Sequence, residues 1–174
     1  MIGVSWREDC PVALDALSLV TVLHWGLDGI ARDGQLVIAA AVAEDVVSVF
    51  RTVYQAGFAI AKVRPIDVYG ADDLRSMEDD STSGFNCRNT LRGTRWSEHA
   101  FGTAIDINPI ENPYVEGTAV LPAAGAAFLD RDVIRPGMIV HSGPVVEAFR
   151  AIGWSWGGHW ASLKDYQHFS QNGL

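Results

Sequence analysis

Two short stretches lying far apart in the chain carry its most reactive side chains, and the fold has to bring them together. Residues 97–108 read SEHAFGTAIDIN. His99 stands seven residues before Asp106, too far for the two to share one helical face. Ala104, Ile105, Asp106, Ile107 and Asn108 alternate small or polar with branched apolar side chains, as a half-buried strand does. That alternation puts Asp106 and Asn108 on one face, with Ile105 and Ile107 packed behind, while Gly102 lets the chain bend after His99. Two such side chains only begin a metal site. The third is expected from residues 157–169, which contain His168. A catalytic zinc usually keeps three protein ligands and leaves a fourth position to water, and His99, Asp106 and His168 supply that number. Asp165, three residues before His168, is then placed to take a proton from the activated water. These are the parts of a metallohydrolase.

The order Ser97, His99, Gly102, Ala104, Asp106, Ile107, Asn108, followed late by Gly-Gly-x-Trp and Asp-x-x-His-Phe, resembles a known family. It is that of the zinc D-alanyl-D-alanine carboxypeptidases and L-alanyl-D-glutamate endopeptidases of bacterial cell walls. The likeness extends to Phe85, Asn86, Cys87 and Arg88 and on to Asn112, Pro113 and Tyr114, and covers residues 35–170. An ordered motif in three parts is far more specific than a two-residue match. The resemblance implies that His99, Asp106 and His168 hold one zinc ion per chain and that Asp165 is the general base. It implies further that Arg88 steadies the scissile carbonyl and that the substrate is a peptidoglycan peptide. Ser97, His159 and Trp160 are expected to bind that substrate; His159 fills the variable position of Gly-Gly-x-Trp.

At 174 residues the chain is expected to form one domain with a proper core. Its 48% hydrophobic and 20% charged residues are ordinary for a globular protein. A net charge of −8 without any basic run argues against a nucleic-acid partner. Residues 1–12 lack the basic start and apolar core of an export signal, and no later stretch is long and apolar enough to span a membrane. The resemblance nevertheless implies work outside the cytoplasm, in the wall or during phage lysis, by a monomer. Cys10 and Cys87 leave two readings, one bridge or two unrelated buried thiols.

Residues 1–18 read as an N-terminal extension. Leu19, Thr21, Leu23 and Trp25 alternate with Val20, Val22 and His24, and a turn at Asp33-Gly34 precedes residues 35–38, which predicts a hairpin over 19–38 with His24 as a structural side chain. Val42, Val46, Val49, Phe50 and Val53 predict an amphipathic helix over 41–55, stopped by Gly57. Residues 58–63 return to strand character. Residues 70–95 are polar, lack helical spacing and read as a long functional loop. Its acids lack the spacing of a calcium loop and read as a solvated face, with Arg92 and Arg95 pairing with them at the surface. Residues 112–137 read as a meandering connection with one helical turn, and 138–141 as a short strand. Ser142, Gly143 and Pro144 start a helix with Val145, Phe149 and Ile152 on its apolar face, His141 serving to cap or pack it. Trp154, Trp156 and Trp160 leave two readings, core alone or, with two glycines between them, the wall of a groove for an extended peptide.

The predicted architecture is α+β, a small antiparallel sheet presenting the metal ligands with helices behind, because the elements do not alternate as in a doubly wound sheet. The sequence leaves open whether a peptide is cut at its end or inside; the Trp wall inclines the reading to an endopeptidase. Two other classes stand beside it. One is a zinc-bearing binding domain, since the ligand arrangement also resembles that of the hedgehog signalling domain; Asp165 argues against it. The other is an amidase acting on a substrate outside the wall.

Overall fold

The computed structural model describes residues 1–91 and 93–174, so Arg92 lies outside the described residues. The longest pairing is an antiparallel hairpin of β1 (Leu17–Trp25) and β2 (Ala31–Ala39), with Leu17 opposite Ala39 and Trp25 opposite Ala31. Its reversal is not at Asp33-Gly34 but at residues 26–30, where the Gly26 N–H donates to the Ile30 carbonyl and Asp28 pairs with Arg32 at 2.6 Å. Gly34 faces Val22 inside the ladder. A Cβ there would lie 2.3 Å from the Cβ of Val63, so this glycine serves a close approach rather than a turn.

Helix α1 (Ala43–Gln55) follows, and Val46, Val49, Phe50 and Val53 are all buried, as their spacing predicts. Beyond it the strand character of residues 58–63 survives only as β3 (Lys62–Val63), which runs parallel to β4 (Ser81–Thr82). Between them lies α2 (Asp73–Glu78), within the stretch expected to be a loop. The Asp72 side chain caps it by accepting from the Arg75 N–H at 3.1 Å. Six residues are too few for a helical period to show above the polar composition.

The remaining strands are short. They are β5 (Ala104–Asp106), β6 (Tyr114–Glu116) and β7 (Ala119–Leu121), then, after helix α3 (Pro144–Ala151), β8 (Ser155–Trp156), β9 (Lys164–Asp165) and β10 (His168–Ser170). They form two three-stranded sheets, ordered β5-β10-β8 and β7-β6-β9, both antiparallel. The connection expected over 112–137 therefore contains the β6–β7 hairpin as well as a 3-10 turn, Ala123–Phe128. Residues 138–141 are not a strand; Met138 and Ile139 are buried, and the Ile139 N–H donates to Asn112 Oδ1 at 2.7 Å.

Helix and strand are thus mixed around small sheets, as an α+β chain requires. One core joins the hairpin, α1, α3 and the back of β5 and β10 through Leu36, Ile38, Val46, Phe50, Ile105, Ile107, Phe149 and Phe169. Phe149 and Phe169 stack with centroids 4.1 Å apart, so α3 is fixed directly behind the strand that carries His168. A second cluster of Val37, Phe85 and Cys87 is covered by Trp6, Cys10, Val12, Leu17 and Trp96. Cys10 and Cys87 form a disulfide, which ties the N-terminal residues to the chain that leads into His99.

Candidate metal centre

β5 and β10 pair so that His168 lies opposite Asp106, and Phe169 lies opposite Ile105 on the core face. Side chains opposite one another in a ladder share a face, so burial of the Phe169–Ile105 pair turns Asp106 and His168 forward together. Only residues 104–106 are strand; Asn108 has φ +48° and leaves the ladder. Its side chain is spent inside the fold, accepting from the Ala61 N–H at 2.9 Å and donating to the Ala59 and Gly137 carbonyls at 2.8 and 3.0 Å. The expected common face of Asp106 and Asn108 is therefore not formed.

His99 comes from a 3-10 turn, Glu98–Phe101, and not from a sheet. The Ser97 hydroxyl accepts from the His99 N–H at 3.4 Å and starts that turn. Gly102 ends it at φ +69°, where a Cβ would stand 2.6 Å from the Ala39 nitrogen. No side chain fits there, so the turn seats directly on the end of β2.

His99 Nε2 is 3.1 Å from Asp106 Oδ2, His168 Nδ1 is 2.9 Å from Asp106 Oδ1, and the two ring nitrogens are 3.3 Å apart. All three residues are buried. Each imidazole is held through its other nitrogen: His99 Nδ1 lies 2.6 Å from the Gly84 carbonyl oxygen, and His168 Nε2 lies 3.0 Å from that of Leu174. The free nitrogens and the carboxylate oxygens fall within 4.8 Å of one another, a group that could hold a metal ion. Within the group the charges hold each other. Burial works against a charged Asp106, but the His99 and His168 rings override it and keep its pKa well below the carboxylate range. Burial likewise opposes charge on His168, yet the Asp106 carboxylate raises that pKa to about 9. Ligating groups must be deprotonated, so an ion entering here displaces protons.

Asp165 lines the same cavity, of about 250 Å³, from β9, opposite Tyr114 of β6. Its Oδ1 is buried with no hydrogen-bond partner among the described residues. Burial first, and the Asp106 charge second, raise its pKa to about 7. A carboxylate with one buried oxygen uncommitted, beside the His-Asp-His group, suits a base awaiting a reactant.

The cavity is also lined by Arg88, Ser97, Trp160, Leu163 and Leu174. Arg88 Nη2 pairs with Asp73 Oδ2 at 2.8 Å, Nη1 donates to the Asn89 carbonyl at 3.3 Å, and Nε is buried without a partner among the described residues. Arg95 is exposed and lines the cavity as well. Four of the five acids of residues 72–80 are occupied by the fold, Glu78 being exposed: Asp72 caps α2, Asp73 holds Arg88, Asp79 pairs with Lys62 and Asp80 accepts from the Ile110 N–H.

Three expectations need correcting. Trp154 and Trp156 are 4% and 6% exposed and belong to the core, so of the three tryptophans only Trp160 reaches the cavity. His159 is exposed and lines a separate cleft behind Trp160, with its Nε2 2.8 Å from Nδ1 of His141. His141 does not cap α3, whose N-cap is Gly143. His24 is buried with Nδ1 2.9 Å from the Ile60 carbonyl oxygen, a structural role as expected. The sequence reading missed Asp73 as the partner of Arg88, and Gly84 and Leu174 as partners of the imidazoles. An acid upstream of Arg88 could have been paired with it; a backbone carbonyl has no sequence signal.

Residues 91–171 match the model of a family described as D-alanyl-D-alanine carboxypeptidase. The match takes in His99, Asp106, Asp165 and His168 and leaves Arg88 outside, so the resemblance carried by the ligand motifs stands over that span. Over those residues the chain is similar to that family, the finding that supports reading it as a peptidase. No curated protein and no solved structure matches the chain.

Proposed function

We propose that the chain is a zinc-dependent peptidase that hydrolyses an amide bond in peptidoglycan stem peptides, removing a terminal D-alanine. The single observation behind this reading is the buried His99–Asp106–His168 group with Asp165 in the same cavity, its Oδ1 buried and without a hydrogen-bond partner among the described residues. Two neutral imidazoles and one carboxylate are a donor set that zinc takes, with room left for water. His99 would bind through Nε2, His168 through Nδ1 and Asp106 through its carboxylate. A zinc ion held there supplies Lewis acidity for amide hydrolysis.

Asp165 takes the proton of the attacking water and passes it to the leaving amine. Arg88, whose Nε–H is uncommitted, donates to the oxygen of the scissile carbonyl as negative charge builds on it. Ser97 acts through the turn it starts, and Trp160 borders the substrate. A cut at the peptide end, rather than inside it, fits the corrected cavity: the tryptophan wall is absent, and Arg88 and Arg95 offer cations for a terminal carboxylate. The matched family's description points the same way. The α+β arrangement would then be that family's peptidase fold, the described chain one domain, and the place of action outside the cytoplasm. The Cys10–Cys87 bridge is compatible with that place.

The test is to supply zinc-loaded protein with a wall pentapeptide ending in D-alanyl-D-alanine and with a tripeptide containing an L-alanyl-D-glutamate bond, and to read fragment masses. Release of one D-alanine is expected. Internal cleavage would make it an endopeptidase, and no cleavage of either would remove the wall substrate.

A further inference from the structure

The residues after β10 turn back onto that strand. Asn172 starts the reversal, its Oδ1 accepting from the Leu174 N–H at 3.0 Å. Trp160 Nε1 donates to the Gly173 carbonyl at 3.0 Å, which anchors the returning segment to the edge of the cavity. The Leu174 carbonyl oxygen then receives two contacts from β10: the Ser170 hydroxyl at 2.9 Å and His168 Nε2 at 3.0 Å. The Leu174 side chain meanwhile lines the cavity.

The placement decides which nitrogen of His168 is available. A carbonyl oxygen only accepts, so the contact at Nε2 requires that nitrogen to carry hydrogen. In the neutral ring Nδ1 is then the bare nitrogen, and Nδ1 is the one that faces Asp106 and His99. Without the carbonyl, the ring could place its proton on either nitrogen and turn about its Cβ–Cγ bond, and the ligand nitrogen would be aimed only part of the time. Ser170, on the same oxygen, keeps the carbonyl from drifting off the ring. His99 receives the equivalent support from Gly84, but through a carbonyl in the interior. His168 instead depends on residues 172–174, of which Asn172 and Leu174 are exposed.

We infer that residues 172–174 are a positioning element of the metal centre: the Leu174 carbonyl fixes the tautomer and aim of His168, while its side chain separately forms part of the cavity wall. The inference rests on the reading of His99, Asp106 and His168 as a zinc site. Outer partners of this kind commonly change metal affinity by roughly 10- to 100-fold.

The experiment measures zinc affinity by competition with a chromogenic chelator on three proteins: the unaltered chain, a chain stopped after Asn172, and Leu174→Ala. The unaltered chain must bind zinc; if it does not, the site reading fails, and this inference with it. Given binding, the shortened chain should lose roughly 10- to 100-fold in affinity with an unchanged circular dichroism spectrum. Leu174→Ala, which keeps the carbonyl, should bind zinc as the unaltered chain does while its KM for the wall peptide changes. A folded shortened chain with unaltered affinity overturns the inference and leaves the site reading standing. Should the shortened chain not fold, the unaltered zinc-loaded protein still decides it by NMR. The ring Nε2–H of His168 should exchange slowly with solvent, and exchange as fast as that of His159 overturns the inference.

Discussion

His168 stands directly opposite Asp106 across the β10–β5 ladder, with Nδ1 2.9 Å from Oδ1. The pair is held from behind. A shift of one residue in this register would turn both side chains into the core and bring Phe169 and Ile105 forward, so burial of those apolar residues sets the geometry of the polar ones. In such an arrangement the packing of α3 on Phe169 is part of how Asp106 and His168 are aimed.

His168→Ala should therefore lower zinc occupancy and melting temperature together. Binding to the folded state alone stabilises it, by about 2.7 kcal/mol when the ligand is at 100 times its Kd. Elemental analysis and a melting curve, each with and without added zinc, check this. The variant should lose most of the zinc-dependent rise in melting temperature, and an unaltered rise would exclude His168 as a ligand.

Arg88→Ala should reduce kcat/KM by about 10²- to 10³-fold, the range for removing one donor to a developing oxyanion. The effect should fall mainly on kcat, because the charge on the carbonyl oxygen appears only in the transition state. Asp73→Asn should cause a smaller loss, since Asp73 holds Nη2 of Arg88 and not the free Nε. Steady-state rates on one pentapeptide for all three proteins suffice. Equal losses in the two variants would make Arg88 a structural member of an ion pair.

Where the sequence was legible, a period or a spacing carried the information. Val46, Val49, Phe50 and Val53 announce α1, and the alternation over residues 104–107 announces β5 with Ile105 and Ile107 on its core side. The His99, Asp106 and His168 trio was readable as a group that could hold a metal ion because three chemically suited residues stand in a fixed order. What escaped depended on partners distant in sequence. Gly34 looks like a turn residue and is a gap for Val63, and α2 is too short to show a period. Trp154 and Trp156 look like a groove and are core, because three large aromatic rings close together say nothing about which face is covered. His159 sits in the motif and points into another cleft.

The Cys10–Cys87 bridge closes a separation of 77 residues. On the chain-entropy account that constrains the unfolded chain by up to about 4.5 kcal/mol. Cys10→Ser with Cys87→Ser should lower the urea midpoint markedly. Zinc content should persist in the fraction that remains folded, because neither cysteine belongs to the His-Asp-His group. A double variant with an unchanged midpoint would mean that the bridge does not form in solution.

Glu111 and Asp80 form a buried acidic pair. Burial first, and Asp80 second, push Glu111 up to about 8 from an ordinary 4.5. The folded protein therefore keeps a proton that the unfolded chain releases near pH 4.5. This contribution to stability is complete at low pH, declines as pH rises, and levels off above about 8. Glu111→Gln stays neutral and can still donate to Asp80, so it should remove the decline. Melting temperatures of the two zinc-loaded proteins should nearly agree at low pH and separate in favour of the variant on the alkaline side. A constant difference across the range would show that Glu111 does not titrate with folding.

Asp165 separates a peptidase from a domain that merely holds zinc. Asp165→Asn keeps the shape and much of the hydrogen bonding of the side chain but removes its ability to accept a proton in the reaction. Because Asp165 Oδ1 has no partner among the described residues, no bond there is broken by the change. Removing a buried negative charge close to Asp106 does not take away a ligand, so zinc content and fold should persist. Turnover should fall by about 10²- to 10⁴-fold, the usual contribution of a general base, with a much smaller change in KM. If Asp165 instead served only to orient His168, zinc affinity would drop by roughly 10- to 100-fold and turnover would recover with excess zinc. Measuring zinc affinity and turnover on the same variant distinguishes the two, and wild-type turnover in Asp165→Asn would exclude Asp165 as the base.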